Sequence, residues 1–340
     1  VKAVSARLSD GLGRLGGLIL PLAVLGAASL LAALREGGLA AFYLGPFSSA
    51  YAFGNMLENA AILGTAALGA AISLRAGAVN LGGDGQFYSG ALAGHVILTW
   101  VRGFPAPAAA PLAWAGAFLA GSLLGALPAL LKRRGGADEL ITSFLSSAAL
   151  IPCLDWIVAG PLKDPDSQLI ATRAIDPALS FTRLLPPSSL SAAALAAAAL
   201  TALGWIGYWR TRAGFRLRMS GAAPDFAEAA GLEPRRIRFA AMVLGAGIIG
   251  LAGVWAVMGR SPRVFQNFSG GMGFTALACA ITARLSPALV LPAALFFAFL
   301  EAGAKSAQIL SGMTAQASSM LQALVLLAMA AASGRGRRKS

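Results

Sequence analysis

Charge is what this chain has least of. Only 12% of its 340 residues are Asp, Glu, Lys or Arg, about half of the roughly 25% that soluble domains carry. With 57% hydrophobic residues and a mean hydropathy of +0.71, nothing is present to keep so much apolar surface in water. A soluble globular class is excluded. Histidine occurs once, as His95, which leaves little for a His-rich metal site or a Ser-His triad to build on. The two cysteines, Cys153 and Cys279, both stand inside apolar runs and read as small buried hydrophobes, not as a disulfide or a metal pair. No Gly-x-x-x-x-Gly-Lys-Ser/Thr occurs in the sequence, so ATP has no phosphate-cradling loop here. The expectation is a chain with no catalytic residues, no metal and no cofactor of its own.

What is present is a series of apolar runs near the ~20 residues that cross a bilayer as a helix. They fall at 15–34, 55–75, 86–102, 109–131, 139–160, 189–210, 239–259, 271–283, 285–303 and 315–333. The run at 15–34 follows Lys2, Arg7 and Arg14 but is too long for a signal-peptide core of 7–15 residues, so it reads as an uncleaved span. The eighth run is short and interrupted by "GGMGF", which suggests a half-helix forming a re-entrant pair with the ninth. The fold class is therefore an all-α polytopic membrane protein, with ten transmembrane helices or eight plus a re-entrant pair. The net charge of +13 does not point to nucleic acid, because the basic residues lie between the apolar runs and at the ends. With the N-terminus placed in the cytoplasm, 19 of the 27 Lys and Arg fall inside. That asymmetry is the one cytoplasmic loops carry. The C-terminal "RGRRKS" then also lies inside, which requires an even number of crossings.

Three non-spanning stretches stand out. The loop 161–188 is outside, rich in Pro and Asp, and suited to capping an entrance or receiving a partner. The loop 211–238 is inside; after Pro224, acceptable in a first helical turn, "DFAEAAGL" reads as a short helix that Gly231 ends. Its acidic residues Asp225 and Glu228 disfavour a membrane surface, where Lys and Arg usually dominate the polar face, and leave two readings open, an ordinary solvated loop or a helix docked in a groove on another protein. The third stretch is "VNLGGDGQF" at 79–87. Irregular backbone at membrane depth persists only where protein or a water-filled cavity satisfies it. A helix opening near Gln86 aims free N–H groups at the gap. "SGGMGF" at 269–274 is a matching gap, reached by a span of opposite direction, and paired Gly-interrupted segments of an inverted repeat point to a transporter's path. Candidate path residues are Asn80, Asp84, Gln86 and Phe87, with Gly273 and Phe274 from the second gap and Glu58 and Asn59 from the second span. Glu58 and Asp155 sit near outer ends, and Glu58 is placed to reach the outer surface. The null alternative for 79–87 is a tight cytoplasmic turn. "GSLLG" (Gly121, Gly125) fits small-xxx-small helix packing.

"GFRLRMSGAAPDFAEAAGL" resembles the cytoplasmic loop of ABC importer permeases of the branched-chain amino acid, ribose and nucleoside superfamily. The shared positions are Gly214, Phe215, Arg218, Gly221, Pro224, Ala227, Ala230 and Gly231. "LRAGAVNLGGDGQF" resembles the nucleoside-type branch at Arg75, Ala76, Gly77, Asn80, Gly82, Gly83, Gly85 and Gln86, with Asp84 where Glu is usual. "DELITSFL" keeps Glu139 and Ile141 of a further motif, whose Asn is replaced by Ser147, and "GGMGFTALACAITARLSPALVLPAALFFAFLEAGA" is similar to the family's late pair of spans. The resemblance implies one permease domain over 1–340 in a bacterial inner membrane. It implies a coupling helix in 211–238 that answers to an ABC ATP-binding subunit holding MgATP, through Gly214, Arg218, Gly221, Pro224, Ala227, Glu228, Ala230 and Gly231. It also implies a second permease subunit and an extracytoplasmic substrate-binding protein. A nucleoside-like heterocycle is the leading solute, with riboflavin next. A simple sugar is third, because the "Asp-Leu-Ser-Val-Gly" of sugar-type members is missing. An ion-coupled secondary transporter is the competing class; it would need buried carboxylates, for which only Glu58, Asp155 and Glu301 are candidates.

Overall fold

The computed structural model describes residues 38–101 and 103–311; the first and tenth expected spans and both termini lie outside the described residues. The chain divides into two compact units, residues 1–56 with 298–340, and residues 57–297. In the first unit, α1 (Gly38–Leu44) leads through a 3-10 turn (Gly45–Phe47) towards the start of α2 (Ala50–Arg75). Phe42, buried, meets Phe299 edge-on with centroids 6.3 Å apart, and Phe47 meets the same ring at 6.0 Å. Phe299 belongs to α11 (Pro287–Ser311).

The second unit holds α3 (Gly83–Trp100), α4 (Ala106–Gly135), α5 (Glu139–Ala159), α6 (Ala193–Arg210), α7 (Arg212–Ala222), α8 (Pro224–Ala229), α9 (Pro234–Gly259) and α10 (Met272–Thr282). Among the described residues the only β pairings are three isolated bridges. By length and composition α2, α4, α5, α9 and α11 suffice to cross a membrane. Helix ends follow local chemistry. Gly136 closes α4 at φ 68 after Lys132, Arg133 and Arg134, which complement the helix dipole, and the Asp138 carboxylate caps α5 by accepting the Leu140 N–H at 2.8 Å.

The sequence-expected spans are found with shifted ends. Helices α2 and α9 start five residues earlier and α11 ends eight later than the apolar runs, which omit polar terminal turns that are still helical. The end of α3, the end of α5, both ends of α10 and the starts of α6 and α11 fall one to four residues inside. The eighth expected span is α10, 11 residues long; at 1.5 Å per residue it rises about 17 Å, roughly half of the ~30 Å hydrocarbon layer.

At the centre α9 packs mainly against α4 and α3. A Cβ on Gly250 would stand 2.4 Å from the Ala117 carbonyl oxygen, and one on Gly90 would stand 2.2 Å from the Gly250 carbonyl oxygen. Three backbones therefore touch where no side chain fits, and the Gly121–Gly125 pair lies in the same seam against Ala246. Helix α3 is almost wholly buried by its neighbours, which is why it carries polar residues that a lipid-facing helix would not.

The outer segment 160–192 is a packed cover and not a free loop. The Thr172 N–H donates to the Val264 carbonyl at 2.8 Å, Ile175 N–H to Pro262 at 2.9 Å and Phe181 N–H to Met258 at 3.0 Å. His95 Nε2 lies 2.8 Å from the Arg173 carbonyl and 2.9 Å from Thr172 Oγ1. Asp164, 4% exposed, accepts from Arg263 Nη1 at 2.7 Å, with Arg173 Nε 3.7 Å away. Burial pushes this carboxyl up, but hydrogen bonds from Arg263 and the Asp166 amide, with the Arg263 and Arg173 charges, outweigh it and hold it below its usual range. Because the folded value is depressed, the stabilisation is complete above the ordinary aspartate value of about 3.9 and is lost as pH falls through the folded one. Protection of 164–175 from amide exchange should therefore weaken below about pH 4 in the wild type. In Asp164→Asn it should be weak at every pH. A pH-independent wild type would refute the role given to Asp164.

Candidate functional site

The stretch that opens α3 is built from the end of α2. Gly77, at φ 81, lets the chain turn, with Ala78 N–H reaching back to Ser73 O at 3.0 Å and Gly77 N–H to Leu74 O at 3.0 Å, a Schellman closure. Asn80 Oδ1 then accepts the Gly82 N–H at 2.9 Å, and the Asn80 and Gln86 amides pair reciprocally at 2.9 and 3.0 Å. Two serines one turn apart on α5 take the next free amides: Leu81 N–H donates to Ser143 Oγ at 3.0 Å and Gly85 N–H to Ser147 Oγ at 2.7 Å. Along α5 these serines stand about 6 and 12 Å from its first residue. The 79–86 stretch thus enters the bundle beyond the first turn of α5 and is not a surface turn. Ser143 was missed in the sequence, and its only signal was the i, i+4 spacing from Ser147.

The second glycine stretch meets the first. Asn267, Gly270 and Gly271 all have positive φ, at 53, 50 and 83, and the tight loop they form returns Gly273 against Gly83. A Cβ on Gly83 would lie 2.9 Å from Gly273 Cα, and one on Gly273 would lie 2.2 Å from the Asp84 amide nitrogen. Asp84 Oδ1 accepts the Gly273 N–H at 2.9 Å and the carboxylate also accepts from the Ser269 side chain. Phe87 stacks on Phe268, centroids 6.1 Å apart. Asp155 Oδ1 accepts from Tyr88 OH at 2.8 Å and from the Asn267 N–H at 2.7 Å. Asn80, Asp84, Gln86, Phe87 and Gly273 are all buried, while Phe274, 43% exposed, faces Phe144 at 6.5 Å.

Glu58 and Asn59 sit apart from this contact, near the outer ends of α2 and α9. Glu58 is fully buried, not at the surface as its sequence position suggested, because Ser191 supplies two donors: N–H to Oε2 at 2.9 Å and Oγ–H to Oε1 at 2.8 Å. Asn59 Oδ1 accepts from Arg260 at 3.0 Å.

The expected loop 211–238 is largely helical. A single short helix after Pro224 was expected; instead α7 precedes α8, and Pro234 already starts α9. Thr211 accepts the Gly214 N–H at 3.1 Å and so caps α7, a start signal masked by the many arginines. Gly214, buried, brings α7 onto the end of α6, where a Cβ would stand 2.2 Å from the Gly207 carbonyl oxygen. Arg218 lies over the Tyr208 and Trp209 rings at 5.1 and 4.7 Å and donates to the Tyr208 carbonyl. Gly221 rests on the Arg75 carbonyl, leaving no room for a Cβ. Ala227 is the buried residue of α8, and Pro224, Glu228, Ala230 and Gly231 are exposed. As expected, Gly231 ends α8, at φ 78, with Leu232 N–H bonded to Ala227 O at 2.9 Å. Phe215 and Phe226, 50% and 63% exposed, flank an open apolar groove with Met219 between them.

These two parts are joined. Arg238 Nε donates to the Gly77 carbonyl at 3.0 Å and lies 3.7 Å from the Glu139 carboxylate, which also accepts from the Val79 N–H. Gly221 of α7 thus touches Arg75, and residues 75–79 lead from it to the turn beside Gly83 and Gly273.

The model of the branched-chain amino acid transport system permease component matches residues 52–330. The probable riboflavin import permease RfuC of Treponema pallidum is 33% identical over 92% of this chain and 84% of its own length. The glucose ABC transporter permease TsgB13 of Haloferax volcanii is 29% identical over 88% and 84%. The guanosine ABC transporter permease NupP of Bacillus subtilis is 26% identical over 93% and 94%.

Replacing Asp84 by Ala strands the buried Gly273 N–H and should cost about 1–3 kcal/mol of stability. Gly83→Val, forcing backbone from backbone, should cost at least as much. Thermal unfolding in detergent measures both; an unchanged midpoint for Asp84→Ala would show the glycine contact to be held by something else.

Proposed function

This chain belongs to the branched-chain amino acid transport system permease family, and on that premise we propose that it moves a heterocyclic solute bearing a hydroxylated carbon chain inward across a bacterial inner membrane. Its place as an ABC importer permease subunit follows from the family and its relatives. Nucleosides remain the leading reading, and riboflavin is the second. Both join a planar nitrogen heterocycle to a five-carbon polyol, and relatives named for each are similar over most of the chain. The Ser147 departure no longer weighs on the choice, since its hydroxyl is engaged by the Gly85 amide. A sugar is the third reading.

The observation that carries the mechanism is the mechanical link from the α7–α8 element to the two glycine stretches. An ABC ATP-binding subunit holding MgATP docks on the Phe215–Phe226 groove, with Glu228, Ala230 and Gly231 at its edge. Closure of the ATPase pair shifts α7 and α8. Gly221 passes the shift to Arg75, Arg238 and Gly77 hold the turn in step, and the Gly83–Gly273 contact opens or closes the path. An extracytoplasmic binding protein delivers the solute at the outer cover, and a second permease subunit completes the complex. The chain itself hydrolyses nothing, consistent with the missing phosphate loop. An ion-coupled carrier is disfavoured: Glu58, Asp155 and Glu301 are each engaged by neighbouring donors rather than grouped as a cation or proton site.

Ala230→Arg, which puts a long charged side chain on the exposed end of α8, should lower uptake about tenfold or more, as loss of over about 1.4 kcal/mol of interface energy would. ATP hydrolysis by the assembled complex should persist. Full uptake at normal membrane abundance would reject α8 as the coupling element. Thermal shift of the partner binding protein with guanosine, riboflavin and glucose selects the solute; stabilisation by glucose alone would overturn the heterocycle reading.

A further inference from the structure

Three cations that the coupling path does not use converge beside Arg238. The last turn of α4 and the first turns of α5 and α9 enclose a cavity of about 330 Å³, lined by Lys132, Arg133, Arg235, Arg238, Phe239 and Glu139. Glu139 is buried and is its one carboxylate, already met by Arg238. The Arg133 guanidinium lies over the Phe239 ring at 5.9 Å. Lys132 acts on Glu139 through its charge, but neither the Lys132 nor the Arg235 side chain makes a hydrogen bond to any described residue. Like charges gathered in one enclosed space repel, and three remain after Glu139 is counted. An anion with several acceptor oxygens would relieve the repulsion, and guanidinium groups suit a phosphate through two parallel N–H bonds.

The site's position indicates where that phosphate comes from. By the distribution of Lys and Arg, this end of the bundle is cytoplasmic, the level of the inner headgroups. It also lies at the ends of α4 and α5, the helices most exposed on their apolar faces: 33% and 22% of their spanning windows are buried, against 83% for α2 and α9. Directly after Glu139 come Leu140 and Ile141, exposed at 41% and 53%. Acyl-chain surface therefore begins at the rim of the cationic cavity. We infer that this cavity binds the phosphate of an anionic phospholipid headgroup, which clamps the starts of α5 and α9 beside the turn at residues 77–79. The site is separate from the groove where the ATPase subunit docks.

Full-length protein in detergent, incubated with phosphatidylglycerol or phosphatidylcholine and read by native mass spectrometry and thermal unfolding, tests this. Phosphatidylglycerol should be retained and should stabilise in preference to phosphatidylcholine. Lys132→Gln with Arg235→Gln should weaken that retention about thirtyfold, since each cation near a membrane surface contributes roughly a factor of five. Equal retention of the two lipids by the wild type, which requires no variant to fold, would overturn the assignment. So would unchanged retention in the double variant, or displacement of phosphatidylglycerol by millimolar inorganic phosphate, which would mark a free-anion site. Loss of the lipid on assembly with the ATPase subunit would also overturn it, by making a protein side chain the occupant.

Discussion

The architecture of the larger unit depends on keeping irregular backbone satisfied inside a helical bundle. Water is not available there to bond a stray amide, and an unpaired one costs several kcal/mol. Residues 79–83 and 267–271 interrupt helices at depth, and each supplies what the other lacks. Gly83 and Gly273 remove the side chains that would hold the two stretches apart, and Asp84 accepts the amide that this approach exposes. The remaining amides of the first stretch go to Asn80, Ser143 and Ser147. Both interruptions follow helices of 26 residues, α2 and α9, and each is succeeded by a helix whose N-cap is a glycine, Gly82 or Gly271.

Much of this was legible in the sequence for specific physical reasons. Long apolar runs report crossing helices because the bilayer demands them, and "NLGGDGQF" and "SGGMGF" announced themselves because glycine and amide side chains are costly among spans unless used. What the sequence did not disclose was that the two stretches are one contact. Their separation of nearly two hundred residues is bridged only by packing, and no periodicity encodes it. The burial of Glu58 was hidden for a similar reason, since its donors come from Ser191, in a run that reads as spanning helix but precedes the helix that starts at Ala193. The α7 helix escaped notice because its arginines resemble a solvated linker, although arginine is a good helix former.

The polar residues of the first stretch divide by task once their partners are known. Asn80 and Gln86 satisfy each other and the chain around them, Asp84 serves the interruption opposite, and Tyr88 and Asp155 hold the returning loop. Their hydrogen-bonding capacity is largely spent on the protein itself. A solute passing this level would meet mostly aromatic and backbone surface, such as Phe274 and Phe144, unless the glycine contact separates and frees those groups.

The seam at Gly90, Ala117, Gly121 and Gly250 has a kinematic consequence. Backbones at van der Waals distance cannot slide by a fraction of a turn without driving a carbonyl into a neighbouring Cα. Helices α3, α4 and α9 are thereby locked in register and must travel as one rigid block, a stator for any cycle of alternating access. Relative motion in the larger unit is then left to the elements outside the block, among them α10, whose Gly273 meets Gly83 of the block backbone to backbone, and the α7–α8 pair.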